Sequence, residues 1–262
     1  MGHIRLNLPH ATRKWSEVVA LLDERDIRIA SLAKAVEDAA DKSLAHAVTD
    51  PAFVESMWLL LNIPLAAQER DFAAALRPLG LRVSPDPTMT DILAAFSEAA
   101  DRARRVGGRR VTDFSVLARN AAMSALAGLA VERGPALWKA SVEDQRTTLA
   151  TFASTERFGE LAQSFFTNIL DGHLQYFLDR EIPRHIGNGS SIRSVADTSY
   201  FESALRRHCR ETTMIMRAYA KGWIGKNRYH LDKKLKREDA AAFAAYAFKK
   251  VRRELSIRGQ AA

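Results

Sequence analysis

The chain has 262 residues, 47% of them hydrophobic and 27% charged, with a formal net charge of +8 and a single cysteine, Cys209. That length is at the upper edge of what one hydrophobic core serves, the composition excludes wholesale disorder, and one cysteine excludes an intramolecular disulfide, which fits a reducing compartment. The charge is lopsided: from Tyr200 to Ala262 there are 16 Lys and Arg against 6 Asp and Glu, a balance of +10 that leaves −2 for the first 199 residues.

In chain order, the opening MGHIRLNLPHATRKW has basic residues with no apolar stretch behind them, so no signal peptide is expected. Leu6 stands where a myristoylation pattern needs Ser or Thr. Trp15, Val18, Val19, Leu21 and Leu22 share one face at helical spacing, and Ile29, Leu32, Val36, Ala40 and Leu44 form a second such stripe. Asp50-Pro51 is an N-cap followed by proline at the first helical position, opening a helix expected to end near Asn62, before Pro64. Its apolar run Met57 to Leu61 is far short of a membrane span, and a cytoplasmic protein without membrane contact is expected.

A short helix from Phe72 stops at Gly80, and GLRVSPDPTMTD is a loop. Thr90 is the expected cap of a helix that buries Ile92, Leu93, Phe96 and Ala99 or Ala100 and ends at the glycines of RRVGGRR. Thr112 caps an Ala-rich helix to about Arg133, Gly134-Pro135 breaks the chain, and Ser141 with Asp144 forms a variant capping box. From Thr155 the chain becomes aromatic and amphipathic through Leu178, with Pro183 set to kink or terminate the helix and a loop over 187–191. One helix is expected from Tyr200 to about Trp223, and a last one from Lys236 to about Arg258 with Glu238 and Asp239 in its first turn. No segment alternates as a strand does and no repeat appears. The expectation is an all-α multi-helix bundle of roughly nine or ten helices with no sheet. A near-neutral Ala/Leu-rich part covers 1–140 and an aromatic, basic part covers 141–262, possible halves of one continuous domain.

No catalytic signature stands out. Glu181 and His185 lie four apart and His208 and Glu211 three apart, so two helices could in principle bring a metal-binding set together. Pro183 interrupts the first pair, and the second runs opposite to the Glu-x-x-His order of carboxylate-bridged bundles, so a polar contact is the plainer reading of each. Cys209 sits among Arg206, Arg207 and Arg210, which would lower its pKa if it were exposed, whereas a lone cysteine in such a helix is more often a small core residue. No P-loop and no dinucleotide fingerprint occurs, so nucleotide hydrolysis by this chain alone is not expected, and neither cofactor nor small-molecule substrate is evident.

The C-terminal quarter is more informative. GWIGKNRYHLDKKLKRED, at 222–239, interleaves Trp223 and Tyr229 with Lys226, Arg228, Lys233, Lys234, Lys236 and Arg237, and the next helix adds Lys249, Lys250, Arg252 and Arg253. Cations neutralise phosphates while aromatic faces stack on bases, so these ten basic residues are the candidate nucleic-acid contacts, directed at backbone rather than sequence. Trp223 reads instead as a core anchor at the end of an apolar helix.

FGELAQSFFTNILDGHLQYFLDREIPRHIG, HCRETTMIMRAYAKGWIGKN and GHIRLNLPHATRKWSEVVALL resemble segments of uncharacterised helical proteins of bacterial genomic islands, including phage-defence clusters. The resemblance implies one subunit among several gene products, working with partners of ATPase or nuclease type, and supplies no catalytic motif. Three readings follow: a non-enzymatic subunit contacting nucleic acid through its basic C-terminal region, a protein-only scaffold whose basic face meets an acidic partner, and a metal-dependent enzyme built on Glu181, His185, His208 and Glu211.

Overall fold

The structure, a computed structural model, describes residues 12–40, 49–106, 113–133, 140–187, 192, 194–229 and 235–261. Among them the chain is helical, with no strand. The helices are α1 (Arg13–Leu22), α2 (Ile29–Ala39), α3 (Pro51–Ala66), α4 (Phe72–Leu76), α5 (Met89–Val106), α6 (Asp113–Arg133), α7 (Val142–Thr151), α8 (Thr155–Leu178), α9 (Ile182–His185), α10 (Val195–Thr212), α11 (Ile215–Tyr229) and α12 (Arg237–Ala261). All but the short α4 and α9 have ten residues or more, which agrees with the expected bundle. Leu44 and Thr112 lie outside the described residues.

Two helices organise the rest. α3 is apolar all round, and 13 of its 16 residues are buried, so it needs neighbours on every side. α5, α6, α7 and α12 supply them. The N-cap works as the sequence implies: Asp50 Oδ1 accepts from the backbone N–H groups of Ala52 (2.9 Å) and Phe53 (3.1 Å), while Oδ2 accepts from the Ser115 hydroxyl at 2.8 Å and ties α3 to α6. The helix runs through Pro64 to Ala66 rather than ending near Asn62. Burial of nearly every side chain around it outweighs the lost backbone bond. The second organiser is α8, whose apolar residues recur from Phe158 to Leu178 and meet α2, α6, α10 and α11.

Helix ends follow local chemistry. Ser141 with Asp144 and Ser194 with Asp197 close reciprocal capping boxes. The start of α5 is set by Thr88, not Thr90: the Thr88 N–H and hydroxyl both donate to Asp91 Oδ2, at 2.9 and 2.7 Å, a pairing that Thr90 could not make with Asp91. Gly80, at φ 75°, closes the 3-10 turn Arg77–Leu79 after α4 in the left-handed conformation that glycine adopts freely. α8 ends at Asp179 ahead of Pro183, which instead sits in the first turn of α9.

The single helix expected over Tyr200–Trp223 is two helices, α10 and α11. Thr213 breaks it: its hydroxyl donates to the Cys209 carbonyl at 2.9 Å and lies 2.6 Å from the Thr167 hydroxyl on α8. Side-chain bonding of this kind competes with the helical ladder, and two consecutive β-branched residues weaken it further. The turn lets α11 fold onto α8. At the closest approach, a Cβ added to Gly159 would stand 2.9 Å from the Arg217 carbonyl oxygen, a backbone atom that cannot yield cheaply. α12 returns to α2 and α3, so one hydrophobic cluster holds residues from Trp15 to Leu255. α6 is long and apolar enough to cross a membrane by length and composition, and its Ala118, Ala122, Ala125 and Leu126 are buried in this core.

A buried polar group lies where α2, α8 and α12 meet. Glu37, 3% exposed, pairs with Arg252 Nε at 3.0 Å and stands 3.6 Å from Nε2 of the fully buried His173. Burial pushes the His173 imidazole down to about 4.

Two tests follow from this packing. Gly159→Ala should lower stability by about 1–3 kcal/mol through overpacking, read as a reduced urea midpoint. In the unfolded chain His173 titrates near ~6.5, so as pH falls the unfolded state takes the proton first, and stability present above that value drains away toward pH ~4. The urea midpoint should therefore fall between about pH 7 and about pH 5, and His173→Gln should flatten that dependence.

Candidate nucleic-acid interface

The cations expected to contact phosphate separate into two kinds. Arg237 is a fastener. Its Nη2 donates to Glu55 Oε1 at 2.8 Å, its Nε donates to Oε2, and its guanidinium lies 3.8 Å from the centre of the Trp58 ring. Trp58 in turn donates its indole N–H to the Leu235 carbonyl at 2.7 Å. Leu235 and Arg237 thus pin the start of α12 to α3. Glu55 is only 4% exposed, so removing Arg237 would leave a buried carboxylate without this cation. Arg252 has the equivalent role with Glu37.

Lys226 on α11, and Lys236, Lys249 and Arg253 at and along α12, are exposed, and none has an ion pair with a described residue. Arg228 stands in the last turn of α11. Lys233 and Lys234 lie outside the described residues. Lys250 is half-buried, its ammonium 5.2 Å from the Tyr246 ring centre and 5.5 Å from that of Tyr219.

The aromatics around these cations are also divided. Trp223 packs its ring 4.8 Å from Phe243 and Tyr219 stacks on the same ring at 5.1 Å, so both belong to the core edge. Burial, with Tyr246 adding to it, pushes the Tyr219 phenol up to about 12. Tyr246 is 53% exposed, and Lys249, Lys250 and Arg253 follow it by three, four and seven residues on one face of α12. An exposed ring among cations has the chemistry to stack a base while neutralising its phosphates. Tyr246 was not singled out from the sequence, although its spacing ahead of the Lys-Lys and Arg-Arg pairs was there to read.

The other candidate residues are engaged in ordinary polar contacts. His185 Nδ1 lies 2.7 Å from Asp23 Oδ1, and Glu181 binds Arg184 at 2.8 Å while its second oxygen stands 3.9 Å from His185 Nε2. Glu211 pairs with Arg258 at 3.2 Å, and His208 lies 3.4 Å from the Thr212 hydroxyl. Burial lowers the His208 pKa, with Arg258 adding to the effect. Among the described residues no group of three or more His, Cys, Asp or Glu side chains comes together to hold a metal. Cys209 is fully buried, which pushes its thiol well above the ordinary range and leaves it protonated at neutral pH despite the arginines beside it.

Those arginines have another setting. Arg206, Arg207 and Arg210 on α10 and Arg217 on α11 line one side of an open groove of about 730 Å³, with Arg133 of α6 also on its wall. From the sequence they were weighed only as neighbours of the thiol; their spacing of one, three and four on a helix was the available signal.

No protein-family model matches the chain, and neither a curated protein nor a solved structure matches it.

The two kinds of cation differ in what their removal does. Arg237→Ala and Arg252→Ala should each cost roughly 2–3 kcal/mol of stability by exposing a buried carboxylate's loss of its partner, whereas Lys249→Ala should stay within about 0.5 kcal/mol of the parent in the same urea titration.

Proposed function

We propose that this chain is a non-enzymatic helical subunit that grips nucleic-acid backbone through the outer face of α11 and α12. The observation that carries this reading is the exposed Tyr246 ring beside Lys249, Lys250 and Arg253 on one face of α12, with the exposed Lys226 on the neighbouring α11, none of the four having an ion pair with a described residue. Cations without an ion pair among the described residues are available to phosphate, and an accessible ring beside them favours single strands, whose bases are free to stack. Nothing in the arrangement reads base edges, so the contact is directed at backbone and is salt-sensitive. Work alongside other protein subunits in the cytoplasm is part of the same proposal.

Fluorescence anisotropy with labelled single- and double-stranded DNA and RNA tests this. The parent should bind, and the affinity should drop by at least about tenfold between ~50 and ~200 mM salt. The triple variant Lys226→Ala, Lys249→Ala, Arg253→Ala should lose binding while staying folded. Tyr246→Ala should weaken single-strand binding by about 1–3 kcal/mol and leave duplex binding nearly unchanged. A folded parent that binds none of these nucleic acids would move the reading to a scaffold whose basic face meets an acidic protein.

A further inference from the structure

A second cationic surface is built from different residues. The groove among α6, α8, α10 and the start of α11 is lined by five arginines and two glutamates. Two of the five arginines are already neutralised. Arg133 binds Glu160 at 3.1 Å and lies 3.9 Å from Glu132, Arg157 adds a bond to Glu160 at 2.9 Å, and Arg206 binds the buried Asp171 at 3.1 Å. What remains is Arg207, Arg210 and Arg217, none of which forms an ion pair with a described residue, although Arg217 is near enough to Glu156 to help lower its pKa. Three guanidiniums facing one groove repel one another, a cost that a bound anion would offset.

The groove is also shaped. Gln163, 5% exposed, is fixed at both ends of its amide: its Nε2 donates to the Arg210 carbonyl at 3.1 Å, and its Oε1 accepts from Arg217 Nε. That clamp uses the one N–H of Arg217 that points sideways and leaves its two terminal nitrogens for a bidentate partner, the geometry that phosphate matches. Across from them Gly128 leaves open space, since a Cβ there would meet nothing within 4 Å. The remaining wall carries hydroxyl and amide groups, among them Ser124, Ser164 and Asn168, that give direction to the rest of a ligand. A volume of about 730 Å³ falls in the range of small-molecule sites rather than of a lone ion.

We propose that this groove binds a polyphosphate-bearing ligand of nucleotide size, with Arg207, Arg210 and Arg217 holding its phosphates and Gln163 positioning Arg217. This is a binding site only, and no bond is made or broken in it. It is independent of the α11–α12 face and stands or falls separately from it.

Calorimetric titration of the full chain with ATP, with pyrophosphate, and with sodium sulfate at matched ionic strength tests the proposal. ATP should bind saturably and more tightly than pyrophosphate, and sulfate should give no saturable heat. Arg207→Ala with Arg210→Ala should weaken ATP at least about tenfold, as expected for the loss of charge-assisted hydrogen bonds. Gly128→Phe, which fills open space without touching the core, should block ATP while thermal unfolding shows the fold intact. The triple variant at Lys226, Lys249 and Arg253 should bind ATP as the parent does. The proposal is overturned if the folded parent shows no saturable ATP binding, if neither groove variant weakens it, or if the groove variants abolish only oligonucleotide binding, which would make the groove part of the backbone track instead.

Discussion

Contact among phenylalanine rings around the middle of α8 is the constraint on which the other helices depend. The Phe53 ring of α3 lies 5.7 Å from Phe114 of α6, 5.9 Å from Phe165 of α8 and 5.4 Å from Phe248 of α12. Phe166, next on α8, meets Phe248 edge-on at 5.4 Å and Phe243 at 6.3 Å. Four helices widely separated in sequence thereby share one cluster. Truncating any one such ring costs on the order of 3–5 kcal/mol, a large part of the 5–15 kcal/mol that holds a typical domain. The cluster also places both charged surfaces. Tyr219 and Trp223 of α11 lean on Phe243, and the outer face of α12 is the reverse side of the helix that carries Phe243 and Phe248 into the core.

Features that depend on neighbours within four residues are mostly displayed by the sequence, the Thr88–Asp91 pairing at the start of α5 being the local one it placed two residues late. The Asp50 cap, the Ser141–Asp144 box, the arrest at Gly80 and the amphipathic run of α8 all follow from local spacing. Features that depend on distant partners stayed hidden. Pro64 looks like a terminator until the burial of α3 is known, and Thr213 looks like an ordinary helical residue until Thr167 faces it. The fate of the cations shows the same divide. Clustering of Lys and Arg is visible along the chain, but Arg237 finds Glu55 across 182 residues of sequence, and nothing near either residue announces the pair. The arginine groove was half legible: Arg206, Arg207 and Arg210 are neighbours on any helix, whereas Arg217 joins them only because the chain turns at Thr213 and Gln163 holds it.

The arginines and lysines thus divide by task. Those at 237 and 252 close buried carboxylates and fasten α12 to α3 and α2. Those at 207, 210, 217, 249 and 253 are exposed and form no ion pair with a described residue. Lys249 and Arg253 are four apart, as are Arg206 and Arg210, and like charges at that spacing oppose each other by roughly 0.2–0.5 kcal/mol. Such arrangements lower stability slightly in the free protein, and an anion bound there would relieve them.

The ion pair between Arg237 and Glu55 has a consequence for how strongly salt can act on this protein. Binding to a polyanion releases condensed counterions in proportion to the phosphates neutralised, with a slope of roughly −0.7 per contact for single strands and −0.9 for duplex. A guanidinium whose charge is already met by a carboxylate displaces none. Were a polyanion to bind here, counting basic residues along α12 would overstate the number of ions that leave, and the slope of log affinity against log salt would report how many cations the fold has left unclaimed.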